Sequence, residues 1–113
     1  MRRGDVVLVV SSGDYGKPRP AVVVQSDAVT AAGYASVVVC PMTTFVTHGE
    51  ELRLEVLPGG QTGLVEHSEV MIEKIVSLPR QKVRRTIGRL DAATMRAIER
   101  ALLLLLGIGE PLR

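Results

Sequence analysis

Short apolar runs broken by turn-forming residues constrain this chain more than any other feature. Val6 to Val10, Ala21 to Gln25 and Ser36 to Cys40 are each five residues long and rich in valine. Gly4-Asp5 precedes the first run and Ser11-Ser12-Gly13-Asp14 follows it; Pro20 opens the second, and Pro41 stops the third. Valine is stiff at χ1 and packs well on a pleated surface, so runs of this kind and length read as buried strands. The connections are too short for the crossover helices that parallel pairing requires. Antiparallel pairing of short strands is the expected outcome.

The remainder of the chain extends this pattern. Ser26-Asp27 opens a short helical turn through Ala32, ended by Gly33. Glu51 to Leu57 alternates charged and apolar residues, the period of a strand with one face in water. Thr62 to Val65 and Glu69 to Val76 read as further short strands, with Pro58-Gly59-Gly60 as a turn before them. Pro79 to Lys82 is a basic connection, and Val83 to Leu90 is the last strand, with Gly88 marking a bend or a close backbone approach. Asp91 is an N-cap, and Ala92 to Leu106 forms a helix that Gly107 closes. Met95, Ile98, Leu102 and Leu105 form its apolar stripe; Leu103, Leu104 and Leu106 widen it towards core packing on several sides or a contact between two copies. The expected fold is mainly β with a C-terminal helix, a small and partly open barrel.

A chain of 113 residues suits one domain, residues 1–113, with a single core. Hydrophobic residues make up 46% and charged residues 23%, a globular balance. Phe45, Tyr15 and Tyr34 are the only aromatic residues, which argues against an RNA-binding sheet that stacks bases on an aromatic platform. Basic residues gather in Arg2-Arg3, Lys17 to Arg19 and Arg80 to Arg89, and acids in Glu50-Glu51 and Glu66 to Glu73. Separated patches of this kind fit one surface that attracts nucleic acid, and equally a mixed solvated surface. Cys40 is the only cysteine, so an internal disulfide or a thiolate metal cluster is excluded, and its place in an apolar run reads as a small buried residue. No signal-peptide pattern follows Arg2-Arg3, and Leu102 to Leu106 is too short to span a bilayer; a cytoplasmic protein without membrane contact is expected.

The chemistry lies at two strand ends. In Lys17-Pro18-Arg19-Pro20, each proline fixes its own φ and biases the preceding residue towards extended backbone. Arg19 is thus held stiff at the mouth of the second strand, and its forked guanidinium suits phosphate oxygens. The same tetrapeptide also fits an edge strand with a solvated arginine. Thr43-Thr44 follows the third strand. If the two strands are antiparallel neighbours, Arg19 and a threonine hydroxyl face one volume, a phosphate site. No glycine-rich phosphate loop, paired metal ligands or nucleophile elbow competes with it. His48 and His67 lie far apart in loop-like stretches and are assigned no chemical role.

Three stretches taken together resemble the MazF/PemK (Kid) family of toxin endoribonucleases: Gly4 to Val9, Lys17 to Asp27, and Val39-Cys40-Pro41-Met42-Thr43-Thr44. Gly63-Leu64, the strand Val70 to Val76, and Ile87-Gly88-Arg89-Leu90-Asp91 before the helix extend the resemblance over nearly the whole chain. It implies a small SH3-like barrel of the CcdB/MazF type, a homodimer, and metal-free, sequence-specific cleavage of single-stranded RNA such as mRNA. It also implies a MazE-like antitoxin with a disordered acidic tail. Cleavage proceeds in such proteins by attack of a ribose 2′-hydroxyl on the adjacent phosphate, leaving a cyclic phosphate and a 5′-hydroxyl. By resemblance, Arg19 is the catalytic arginine and Thr43 the threonine that orients the phosphate or passes on a proton. Lys17, Thr44, Gln25 and Arg80 are the expected RNA-binding residues. Glu73 either fills the position of an acid that some members use, or pairs with Lys74 or Arg80. Two other readings stand beside this one. A gyrase poison of the CcdB type would need a tryptophan near the end of the terminal helix, and the chain has none. A silent homologue would bind RNA or antitoxin without turnover.

Overall fold

The computed structural model describes residues 1–10 and 16–109. Among these described residues seven strands and two α-helices follow one another: β1 (Asp5–Val9), β2 (Arg19–Val23), α1 (Asp27–Ala31), β3 (Ser36–Thr43), β4 (Arg53–Val56), β5 (Ser68–Met71), β6 (Val76–Pro79), β7 (Val83–Arg89) and α2 (Ala92–Leu106). All strand pairs are antiparallel, in the order β4-β5-β3-β2-β1-β7, with β6 pairing β3 off that path. The result is a curved sheet that does not close on itself, with register irregularities where β1 meets β7. The turn-forming stretch Ser11-Ser12-Gly13-Asp14 that follows the first run lies outside the described residues.

The uninterrupted valine runs follow from burial on both faces of the central strands. Val6, Val22 and Cys40 point to one side, where Val70, Ile72 and the α2 residues Met95, Ile98 and Ala101 complete a core layer. Val7, Val9, Ala21, Val23, Val37 and Val39 point to the other, with Leu78 of β6 and Val83 of β7 packed against them. Both helix starts are capped as expected. Ser26 Oγ accepts from Ala28 N at 3.2 Å, and Asp91 Oδ1 accepts from Thr94 N at 2.7 Å. Gly107 ends α2 in the left-handed region at φ 68°.

Three expectations need correction. Strand β3 does not stop at Pro41 but runs on to Thr43, because it changes partners there. Ser36 to Val39 pair with β6, whereas Met42 and Thr43 pair with β5. Pro41, which lacks an N–H, falls in the gap between the two registers. Residues Thr62 to Val65 are not a strand. Thr62 Oγ1 accepts from Leu64 N at 3.2 Å, and Gly63 takes φ +73° to turn the chain against β7. The stretch Glu69 to Val76 is not one strand either. After β5 the chain makes a 3-10 turn at Ile72–Lys74 that buries Ile72 completely, and β6 begins at Val76.

Candidate active site

The β2/β3 register brings the two strand ends together. Ala21 faces Pro41, Val22 faces Cys40 and Val23 faces Val39. The same register continued two residues outward sets Arg19 opposite Thr43, and on the other side Arg19 faces Val9 of β1. Side-chain alternation places these residues on the Val7/Ala21/Val39 face of the sheet. A cleft of about 600 Å³ opens there. Val9, Val39 and Leu78 carry the apolar core layer into it, and Arg19, Thr43 and Lys74 give it polar groups. Arg19 is exposed and Thr43 half-buried. Thr43 Oγ1 accepts a hydrogen bond from Phe45 N at 3.1 Å, which orients the hydroxyl and leaves its own proton to donate. Two cations and an oriented hydroxyl on a partly apolar cleft form an arrangement suited to a phosphodiester.

The other expected residues lie elsewhere. Lys17 and Thr44 are exposed beside the ends of β2 and β3. Gln25 is buried: its Oε1 accepts from Val38 N at 3.2 Å, and its Nε2 donates to Thr30 Oγ1 at 3.1 Å. Its polar atoms tie β2 to β3 and α1. Arg80 donates from Nη1 to the carbonyls of Thr30 and Tyr34, both at 3.4 Å, pinning the turn between α1 and β3. Glu73 does not line the cleft but a separate recess with Glu50, Glu51 and Leu52. Its hydrogen-bonding partner is neither Lys74 nor Arg80. Arg53 Nε donates to both its carboxylate oxygens at 2.8 and 2.9 Å. That bond, ahead of all other influences, holds the Glu73 carboxyl below its ordinary pKa and raises that of Arg53.

Three features of the site were not legible in the sequence. Lys74 reaches the cleft because the 3-10 turn separates it from Glu73. Glu69 has no exposed surface, and its carboxylate accepts from Thr47 N at 2.9 Å, Thr47 Oγ1 at 3.1 Å and His48 N at 3.2 Å. Burial alone would raise its pKa, but these donors and the charge of Arg53 outweigh it and pull the carboxyl below its ordinary value. The two histidines, far apart in sequence, meet in space. His48 Nδ1 lies 3.2 Å from one oxygen of Glu55 and His67 Nε2 3.3 Å from the other, with the rings 6.2 Å apart. Among the described residues no group of three or more His, Cys, Asp or Glu side chains is arranged to hold a metal ion. Cys40 is buried and its thiol pKa is pushed up to about 12, chiefly by that burial, so it is inert.

Comparison with known proteins points the same way. The family model described as "PemK-like, MazF-like toxin of type II toxin-antitoxin system" matches residues 2–106. The chain is 42% identical over 110 residues to a probable endoribonuclease MazF of Mycolicibacterium smegmatis, covering 96% of this chain and 99% of the relative. A solved mycobacterial endoribonuclease in complex with its cognate antitoxin has a similar fold, with a TM-score of 0.80 at 24% identity over 98% of this chain and 99% of the other. A MazE–MazF structure from Deinococcus radiodurans gives 0.78 at 23% identity, over 96% and 97%.

Proposed function

Since the chain belongs to the PemK-like, MazF-like toxin family of type II toxin–antitoxin systems, we propose that it is a cytoplasmic, sequence-specific endoribonuclease that cleaves single-stranded RNA without a metal ion. The observation that carries this reading is the placement of Arg19 and Thr43 on one cleft by the β2/β3 register. In the reaction a ribose 2′-hydroxyl gives up its proton to water as its oxygen attacks the adjacent phosphorus, the bond from phosphorus to the 5′-oxygen breaks, and the departing oxygen takes up a proton from water. The products are a 2′,3′-cyclic phosphate and a 5′-hydroxyl. Negative charge builds on the non-bridging oxygens during attack, where a fixed guanidinium is most effective. Arg19 supplies that charge from a backbone stiffened by Pro18 and Pro20. A guanidinium keeps its charge throughout such a reaction, so its part is electrostatic. Thr43, oriented by Phe45 N, donates to the phosphate or relays a proton. Lys74 adds a second positive charge. The forked pairing of Glu73 with Arg53, facing away from this cleft, supports a structural part for Glu73 rather than acid/base work.

The partners that accompany this reading are a MazE-like antitoxin and a second copy of the chain. The deciding experiment is incubation of the purified protein with a pool of single-stranded RNAs in excess chelator. Wild type is expected to cut, leaving ends that carry cyclic phosphate. Arg19→Ala is expected to lower the rate by about 10²- to 10³-fold, the scale seen on removing one stabilising donor. No cutting by wild type, or equal cutting by the variant, would reject the proposal.

A further inference from the structure

Phe45 is the chain's only phenylalanine, and 77% of it is exposed. Isolated exposed apolar residues are ordinary, so exposure alone carries little weight. Its position carries more. The Phe45 backbone N–H donates to Thr43 Oγ1 at 3.1 Å, so the ring stands two residues beyond a hydroxyl that lines the cleft. The loop that carries it is held from its far side. The buried Glu69 carboxylate takes Thr47 N at 2.9 Å and His48 N at 3.2 Å, and His48 Nδ1 lies 3.2 Å from Glu55. His48 itself adopts φ 56°, a conformation that a non-glycine residue keeps only where its surroundings fix it. An aromatic ring in water, on a loop anchored beside two cations and a hydroxyl, is preorganised to receive a planar apolar partner.

From this juxtaposition of Phe45, Thr43 and Glu69 we infer that Phe45 is a stacking platform for the base of a nucleotide flanking the scissile phosphate, and that it contributes to the choice of cleavage sequence. The inference rests on the RNA-cleavage reading for its ligand. A single ring on a loop differs from a sheet-wide aromatic platform: it holds one base while Arg19 and Lys74 hold the phosphate. Stacking tolerates any base but favours those with larger faces, so the ring biases the sequence without reading it by hydrogen bonds.

The test uses an oligoribonucleotide carrying the mapped cleavage sequence, with a 2′-deoxy substitution at the cleaved nucleotide so that binding is read apart from turnover. Phe45→Ala is expected to bind it about tenfold more weakly, the scale of one lost base–aromatic stack, and Phe45→Trp to restore binding. Replacing the flanking base with an abasic residue should weaken wild type by the same factor and leave Phe45→Ala unaffected. If the mapped site is lacking because wild type does not cut, mixed-sequence oligonucleotides serve for the same binding comparison. Catalysis and stacking are then judged separately. Unchanged affinity in Phe45→Ala would overturn the inference. So would a Phe45→Ala protein that keeps its RNA affinity but loses self-association or antitoxin binding, since the ring would then be a protein contact.

Discussion

Glu69 illustrates how one residue can fix a site it does not enter. A buried carboxylate is costly unless it is fully hydrogen-bonded, and this one gathers the Thr47 and His48 amides and the Thr47 hydroxyl, with Arg53 4.0 Å away. The amides come from the loop that follows Thr43, so the bonds that neutralise the cost also hold Phe45 and Thr43 in place. Glu69→Gln keeps the shape but sets an NH₂ group against N–H donors, and it should unfold at lower urea concentration than wild type at pH 7. The pH dependence follows from the direction of the shift. The Glu69 carboxyl titrates below its ordinary value of 4.5, so its contribution is complete above that pH and is lost as pH falls through its own lowered pKa. The gap between wild type and Glu69→Gln is therefore expected to narrow on acidification below 4.5. Urea titrations at a series of pH values would measure it, and a gap that stays constant down to the acid-unfolded state would show that the charge is not responsible.

Among the elements, local signals were legible and distant partners were not. Caps at Ser26 and Asp91 and the close of α2 at Gly107 are encoded within a turn of where they act, and they stand where the sequence places them. Arg19 and Thr43 could be paired because antiparallel neighbours put the start of one strand beside the end of the next. Pro41 misled because a missing N–H reads as a stop, whereas a strand that exchanges β6 for β5 at that point has no need of it. Lys74 and the His48/Glu55/His67 cluster depend on turns and contacts with no periodic signature. Gly88 lies between these cases, since a close approach was legible but the approaching chain was not. It is the loop at Gln61 to Gly63, whose Gln61 carbonyl accepts from Arg89 N at 2.8 Å. A Cβ on Gly88 would lie 2.3 Å from the Thr62 carbonyl, and one on Gly63 2.1 Å from that of Ile87, with φ +73° as a further obstacle. Because the obstacle is backbone on both sides, Gly63→Ala and Gly88→Ala should each destabilise the fold by about 2–4 kcal/mol, strain and overpacking combined. Thermal melts would show this, and an unchanged melting temperature in either variant would mean that the loop lifts from β7 at little cost.

At the scale of the whole molecule, α2 is apolar around more of its girth than one chain covers. Met95, Ile98 and Ala101 are buried against the sheet, but Leu103 is 46%, Leu104 49%, Leu106 56% and Ile108 58% exposed. Four large aliphatic residues exposed at and just past one helix end are a concentration of apolar side chains of the kind that marks association rather than scattered exposure. A charged residue there would be left solvated in a lone chain, but desolvated and unpaired across an apolar contact between two copies. The proposed homodimer thus makes a distinct prediction for Leu104→Lys combined with Leu106→Lys. These positions are exposed, so the chain should keep its β-sheet signature in circular dichroism. In sedimentation, wild type should run at about twice the 12.2 kDa of one chain and the double variant at that single-chain mass. If both proteins run at twice the chain mass, the dimer contact lies on another face, such as the exposed edge of β7 with Arg84 and Arg85. If both run as single chains, this apolar end of α2 serves no self-association, and the homodimer reading is lost with it.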